Sequence, residues 1–239
     1  MTARIHYHTP DNLLPPASFT VEAHLAAIPG GLQVQIRQVF TGREEIPKEE
    51  IDAEGFTSED DFFWEGSLPA IWLSEWEKNL SGESWEPAGS GHRVLIQKES
   101  EANWYSPRME EKWCLFVEEM LQACLEFSGR ELPMELVLGR LEKSNFYESA
   151  RIIWEFSTRS VSLELPRQPL LSRPDPVWKS SKEQVKEWVE MAAEKEDLYQ
   201  PPKRKGWFWL LNGEVWLPFS SAEKGELWDI LIKKVPGLA

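Results

Sequence analysis

The sequence predicts an α+β fold: an antiparallel sheet with helices packed on one side, plus a C-terminal helix–β-hairpin–helix element. Three observations predict it. Residues 18–40 alternate apolar and polar with a period of two. Residues 107–127 carry a broad apolar stripe at helical spacing. Asn212-Gly213, a pair that tolerates the positive φ of a type I′ turn, lies between two apolar runs.

The first strands are the plainest. Phe19, Val21, Ala23 and Leu25 alternate with Thr20, Glu22 and His24, and after Pro29-Gly30-Gly31 the pattern resumes with Leu32, Val34 and Ile36 against Gln33, Gln35 and Arg37. One face of this hairpin is buried and the other is wet. Val39 and Phe40 break the alternation, so the strand is expected to end or bulge near Gln38. Thr57-x-x-Asp60 reads as a helix start. Pro69 suits the first turn of a helix whose apolar side is Trp72, Leu73, Trp76 and Leu80. Residues 81–91 read as a Gly/Ser loop and 93–97 as a short strand.

The longest helix is expected from Pro107 to Phe127 with Ser106 as its cap, followed by Gly129. A stripe this wide, from Met109 through Trp113, Phe116, Val117 and Met120 to Cys124, suits a helix lying across a sheet. Strands are then expected at 134–141, 150–157 and 160–165, joined by connections too short for parallel crossovers. Pro166, Pro169, Pro174 and Pro176 predict an unpaired strap. Ser180-x-x-Glu183 and Ser220-x-x-Glu223 are capping boxes, each opening a helix, with the Asn212-Gly213 hairpin between them. The expected organisation is a main body over 1–165, a proline-rich strap over 166–177, and a helix–hairpin–helix subdomain over 178–239 docked on the body.

Composition narrows the function. Hydrophobic residues at 41% and charged residues at 28% exclude wholesale disorder. The net charge of −14 repels phosphate backbones, which argues against nucleic acid as a partner. No apolar run reaches the ~18 residues that span a bilayer, and no signal-peptide core is visible, so no membrane association and a cytoplasmic location are expected. Cys114 and Cys124 are ten residues apart on one helix, about 15 Å, too far for a disulfide. Two free thiols fit a reducing compartment.

Two surfaces are candidates for function. A two-residue turn pairs Trp209 with Trp216 and gathers Trp207, Trp209, Leu211 and Trp216 on one hairpin face. With Lys203, Arg204 and Lys205 beside it, that face suits a protein partner or a second copy of the chain, and 13 tryptophans overall mean that packing competes for the same residues. The other candidate is acidic: Asp60 and Asp61 precede Phe62, Phe63 and Trp64, the mixture of carboxylate and aromatic found where enzymes hold sugars. His6, His8, His24 and Glu22 can be drawn as a metal site, but no ligand spacing supports it, and neither a metal nor a cofactor is expected. Neither cysteine lies in a nucleophile motif, and no P-loop, GxGxxG or GxSxG is present. The leading expectation is a non-catalytic intracellular protein-binding or adaptor module with an aromatic surface. The second is an enzyme on a carbohydrate or other polar substrate near Asp60 and Asp61.

Overall fold

The computed structural model of the protein describes residues 1–57, 59–89, 91–98, 101–142, 145–165, 171–173 and 206–218. The chain divides into two compact units, Met1–Glu131 and Leu132–Ala239. An α+β architecture with antiparallel sheets is present, with one sheet in each unit.

The first unit is a seven-stranded sheet in the order β4-β3-β2-β1-β6-β7-β5. Its strands are β1 (Thr2–His8), β2 (Phe19–Ile28), β3 (Gly31–Phe40), β4 (Phe62–Pro69), β5 (Trp85–Pro87), β6 (Val94–Lys98) and β7 (Tyr105–Pro107), all pairing antiparallel. The period-two reading holds: Val21, Ala23, Leu25, Val34 and Ile36 are buried, while Glu22, His24, Gln35 and Arg37 are exposed. β3 does not end near Gln38. It stays in register to Phe40, which opposes Phe19. Gln38 continues the buried face, and the Phe40 ring packs on Phe19 and Phe56.

The sequence reading assigns no strand to Phe62–Pro69 (β4). Pairing with β3 makes it one. Phe62 is buried while Phe63 is 62% exposed, so the second aromatic in the run is simply on the wet face. No helix starts at Thr57. The 81–91 segment includes β5, which pairs with β7.

Among the described residues this unit has three α-helices, α1 (Lys48–Ala53), α2 (Ala70–Ser81) and α3 (Glu110–Phe127). α2 starts just after Pro69 and buries Trp72 and Trp76, as the stripe predicts. α3 begins three residues later than expected and Ser106 is no cap, because Tyr105–Pro107 is held as a strand against β5 and β6. Glu83 serves the entry to α3 instead: its carboxylate accepts from the Met109 backbone N–H at 3.1 Å and from Trp113 Nε1 at 2.9 Å. The core between helices and sheet is dominated by Trp72, Trp76 and Trp113, none with exposed surface. Trp72 and Trp113 both lie against Phe116. No helix among the described residues is long and apolar enough to cross a membrane.

The second unit contains a six-stranded antiparallel sheet in the order β11-β10-β9-β8-β12-β13. The strands are β8 (Met134–Glu142), β9 (Asn145–Glu155), β10 (Ser160–Glu164), β11 (Leu171–Arg173), β12 (Gly206–Leu211) and β13 (Val215–Pro218). Three findings differ from the sequence reading. Leu171–Arg173, between Pro169 and Pro174, pairs with β10, so three strap residues do join a ladder. β12 pairs with β8 along its length, so the hairpin is part of this sheet and a division after residue 165 cuts through it. The Asn212-Gly213 turn forms, with φ of 46° and 76° and the Glu214 N–H donating to Leu211 O at 3.0 Å, but Glu214 is an extra residue before the ladder resumes. Leu211 therefore opposes Val215 and Leu210 opposes Trp216. The expected Trp209–Trp216 pair is replaced by Trp209–Leu217, and position 216 falls on the opposite strand face from 207 and 209. The helices expected from the two capping boxes lie outside the described residues.

A second bulge, between Leu138 and Gly139, re-aims β8 against β9. A Cβ at Gly139 would lie 2.3 Å from the Phe146 ring and 2.7 Å from the Tyr147 carbonyl. Gly139→Ala is therefore expected to destabilise the second unit by about 1–3 kcal/mol through overpacking. Chemical denaturation followed by tryptophan emission measures this, and an unchanged midpoint would show that the ring has room to withdraw.

Candidate functional site

The N-terminal sheet and the back half of α2 enclose a half-open cleft of about 680 Å³. Met1, Thr2 and Ala3 line it from the start of β1, Trp76 and Leu80 from α2, and Lys98 from the end of β6. Elementary geometry assembles these residues. Ala3 and Lys98 are partners in the β1–β6 ladder, and Trp76 and Leu80 are four apart on one helical face. Trp76 is fully buried, yet its indole Nε1 has no hydrogen-bond partner; the buried Thr2 Oγ1 has none either. Lys98 carries its ammonium 4.6 Å from the Trp85 ring centre and makes no ion pair among the described residues. Glu77 and Ser81 complete the lining; Glu77 is exposed and the Ser81 hydroxyl donates to Lys78 O.

A smaller groove of about 450 Å³ crosses the wet face of the same sheet and shares Thr2 and Ala3 with the cleft. Its floor includes Gln97, Arg4, His24, Gln35 and Glu65, which are successive register partners across β6, β1, β2, β3 and β4. Gln35 Nε2 donates to Glu65 at 3.1 Å.

A partly buried polar cluster lies elsewhere, around Tyr7 of β1, Arg93 before β6 and the first half of α3. The Tyr7 hydroxyl donates to Glu118 at 2.5 Å and accepts from Arg93 Nη2 at 3.3 Å. Glu110 accepts from the backbone N–H groups of Arg93 and Val94. Burial, and then Glu118, push the Tyr7 phenol far above its ordinary value. Burial likewise pushes the Cys114 thiol up to about 12, with Arg93 opposing and the glutamates of α3 adding to the rise. Burial alone raises Cys124. The Tyr7 phenol keeps its proton and donates it to Glu118, and burial holds both thiols in the protonated, weakly nucleophilic form.

The acidic candidates are occupied by their own fold. The Asp60 carboxylate accepts from the Thr57 backbone N–H at 2.7 Å, the Thr57 hydroxyl at 2.6 Å and Arg43 Nη1 at 2.9 Å. Burial acts to raise its pKa, but the Thr57 and Arg43 bonds outweigh it and hold the carboxyl below its ordinary value. Asp61 Oδ1 accepts from the Phe40 backbone N–H at 3.0 Å, and Trp64 stacks on Phe127 with centroids 6.1 Å apart. These three residues close a loop and brace α3. His6 opposes Glu22 while His24 opposes Arg4, and the described residues contain no cluster of three metal-ligating side chains. The side chains of Trp207, Trp209 and Trp216, and all of Lys203, Arg204 and Lys205, lie outside the described residues.

Sequence reasoning passed over Trp76 and Lys98 as functional residues. Trp76 lies on the helical stripe and reads as core, and nothing in a sequence marks an indole N–H that finds no acceptor. Compared with known protein families, curated proteins and solved structures, the chain matches none.

The raised thiols give a pH prediction. Cys114 keeps its proton in the folded state to about 12, against an ordinary value of 9.0, so the unfolded chain releases that proton first. Stability from this group is intact below about pH 9 and is lost as pH rises towards 12. Iodoacetamide at pH 8 is expected to leave both thiols unmodified in the folded protein and to modify both in guanidinium. Rapid labelling of the folded form, read by intact mass, would contradict the assignment.

Proposed function

We propose that this chain is a non-catalytic binding protein whose N-terminal unit takes a ligand in the cleft between β1, α2 and β6. One observation carries the reading: the wall of a sizeable cleft contains a fully buried indole whose N–H has no acceptor. A buried donor without a partner costs about 1–3 kcal/mol, and native structures retain few such groups without a reason. The cleft's volume lies in the range of small-molecule sites, and its walls combine apolar side chains with a few polar groups. Asp60, Asp61 and the two thiols support no competing site, since each is engaged or held protonated within its own element.

A separate docking surface for a protein partner or second copy is proposed at the hairpin, where Trp207 and Trp209 share one face of β12. Trp209→Ala should then lower the solution mass or abolish partner binding without unfolding the chain. Loss of the fold would assign the residue to the core.

The cleft reading is tested on the indole itself. In a ¹H–¹⁵N spectrum, the Trp76 indole N–H is identified by its loss in Trp76→Phe. A fragment set of carbonyl, carboxylate and hydroxyl compounds is then titrated. Hits that displace this resonance saturably are expected; a set that leaves it unmoved would sink the proposal. Thr2→Val, which removes an unpartnered hydroxyl at nearly constant shape, is expected to be neutral or stabilising by about 1 kcal/mol. A loss of that size in thermal unfolding would mean that the hydroxyl has a partner in solution.

A further inference from the structure

We infer that the ligand of this cleft is a monocarboxylate with an apolar body, an inference that rests on the cleft reading above. The walls determine the chemistry. An indole N–H and an ammonium are donors only, so Trp76 and Lys98 both call for an acceptor. The Thr2 hydroxyl serves in either role. Lys98 makes the preferred acceptor anionic, because a charge-assisted bond is stronger than a neutral one, and no carboxylate among the described residues has claimed it. Met1, Ala3 and Leu80 offer hydrocarbon to the rest of the molecule.

Glu77 is the one acidic group in the lining, and it is exposed to water, which solvates it without a ligand. The Trp76 nitrogen and the Thr2 oxygen have essentially no accessible surface, so a ligand reaches them only as the lining gives way. Met1, at 71% exposed, is the side chain with the freedom to do so.

Three probes with one chain and different heads separate the possibilities: octanoate, 1-octanol and octylammonium, each below its aggregation threshold. A chain of net charge −14 attracts octylammonium to its surface at large, so the readout is the Trp76 indole N–H resonance and not total binding. Octanoate is expected to shift it saturably, with an affinity about tenfold above that of octanol. In Lys98→Met, which keeps chain length and removes charge, octanoate should fall to the level of octanol while a dispersed spectrum confirms the fold. Equal affinities for octanoate and octanol would overturn the carboxylate and leave the cleft. Tighter binding of octylammonium at this resonance would assign the head group to Glu77 and overturn it as well. No shift with any of the three would remove both the inference and the reading beneath it.

Discussion

The N-terminal unit depends on burying large indoles between two helices and a sheet. Trp72, Trp76 and Trp113 are among the largest fully buried side chains, and each brings an N–H into the interior. Burial of the ring is favourable; burial of the N–H is not, unless an acceptor comes with it. Trp113 has one. Glu83 accepts its N–H and also the Met109 backbone N–H, so the group that satisfies the indole fixes the start of α3. Strand pairing of Tyr105–Pro107 keeps that helix from starting at Ser106, and Glu83 meets its first N–H where it does start. Trp76 occupies a comparable place on α2 and has no such partner. The difference between these two tryptophans separates a closed part of the core from one facing a cleft.

The same accounting explains why residues that suggest chemistry in the sequence act as structure. A carboxylate in a turn takes the nearest donors, and Asp60 finds Thr57 and Arg43 before any substrate could. The Arg43 guanidinium is in turn held 3.6 Å over the Phe40 ring, which ties the turn to the end of β3. The Tyr7, Arg93 and Glu118 group anchors α3 across β1 and β6. Its members hold each other's protons and charges, and that reciprocity leaves none of them poised for transfer. The carboxylates and the phenol of these groups are engaged, while Arg43 Nη2 and Arg93 Nε are buried without a partner.

Much of the fold was legible because the signals are local. Period-two alternation marked β2 and β3, and helical spacing marked α2 and α3, since burial on one face imposes those periods directly. The failures share a cause: a long-range pairing outweighed a local preference. Phe63 on the wet face hid β4, whose strand character comes from pairing with β3. Glu214 shifted the hairpin register by one although its turn residues were read correctly, because a bulge is invisible until the partner strand is known. The strap's prolines prevented pairing at their own positions but not at Leu171–Arg173 between them. The candidate cleft was not legible. Its walls come from β1, α2 and β6, and what distinguishes Trp76 is the absence of an acceptor across those three elements.

An unmet donor has a thermodynamic consequence beyond the site. If the Trp76 N–H is unbonded, the fold carries a cost of about 1–3 kcal/mol, a sizeable part of the margin of an ordinary domain. An acceptor in the cleft would remove that cost only in the folded state. Binding and folding are then linked, and occupancy raises stability with ligand concentration. The indole ring makes the arrangement tolerable when the cleft is empty, because its buried apolar area outweighs one missing hydrogen bond. A phenylalanine would avoid that cost but leave a cavity where the larger indole now packs. On the binding reading proposed above, the Trp76 N–H is the donor that an acceptor would meet, near where β1 borders both the cleft and the polar groove of the open face.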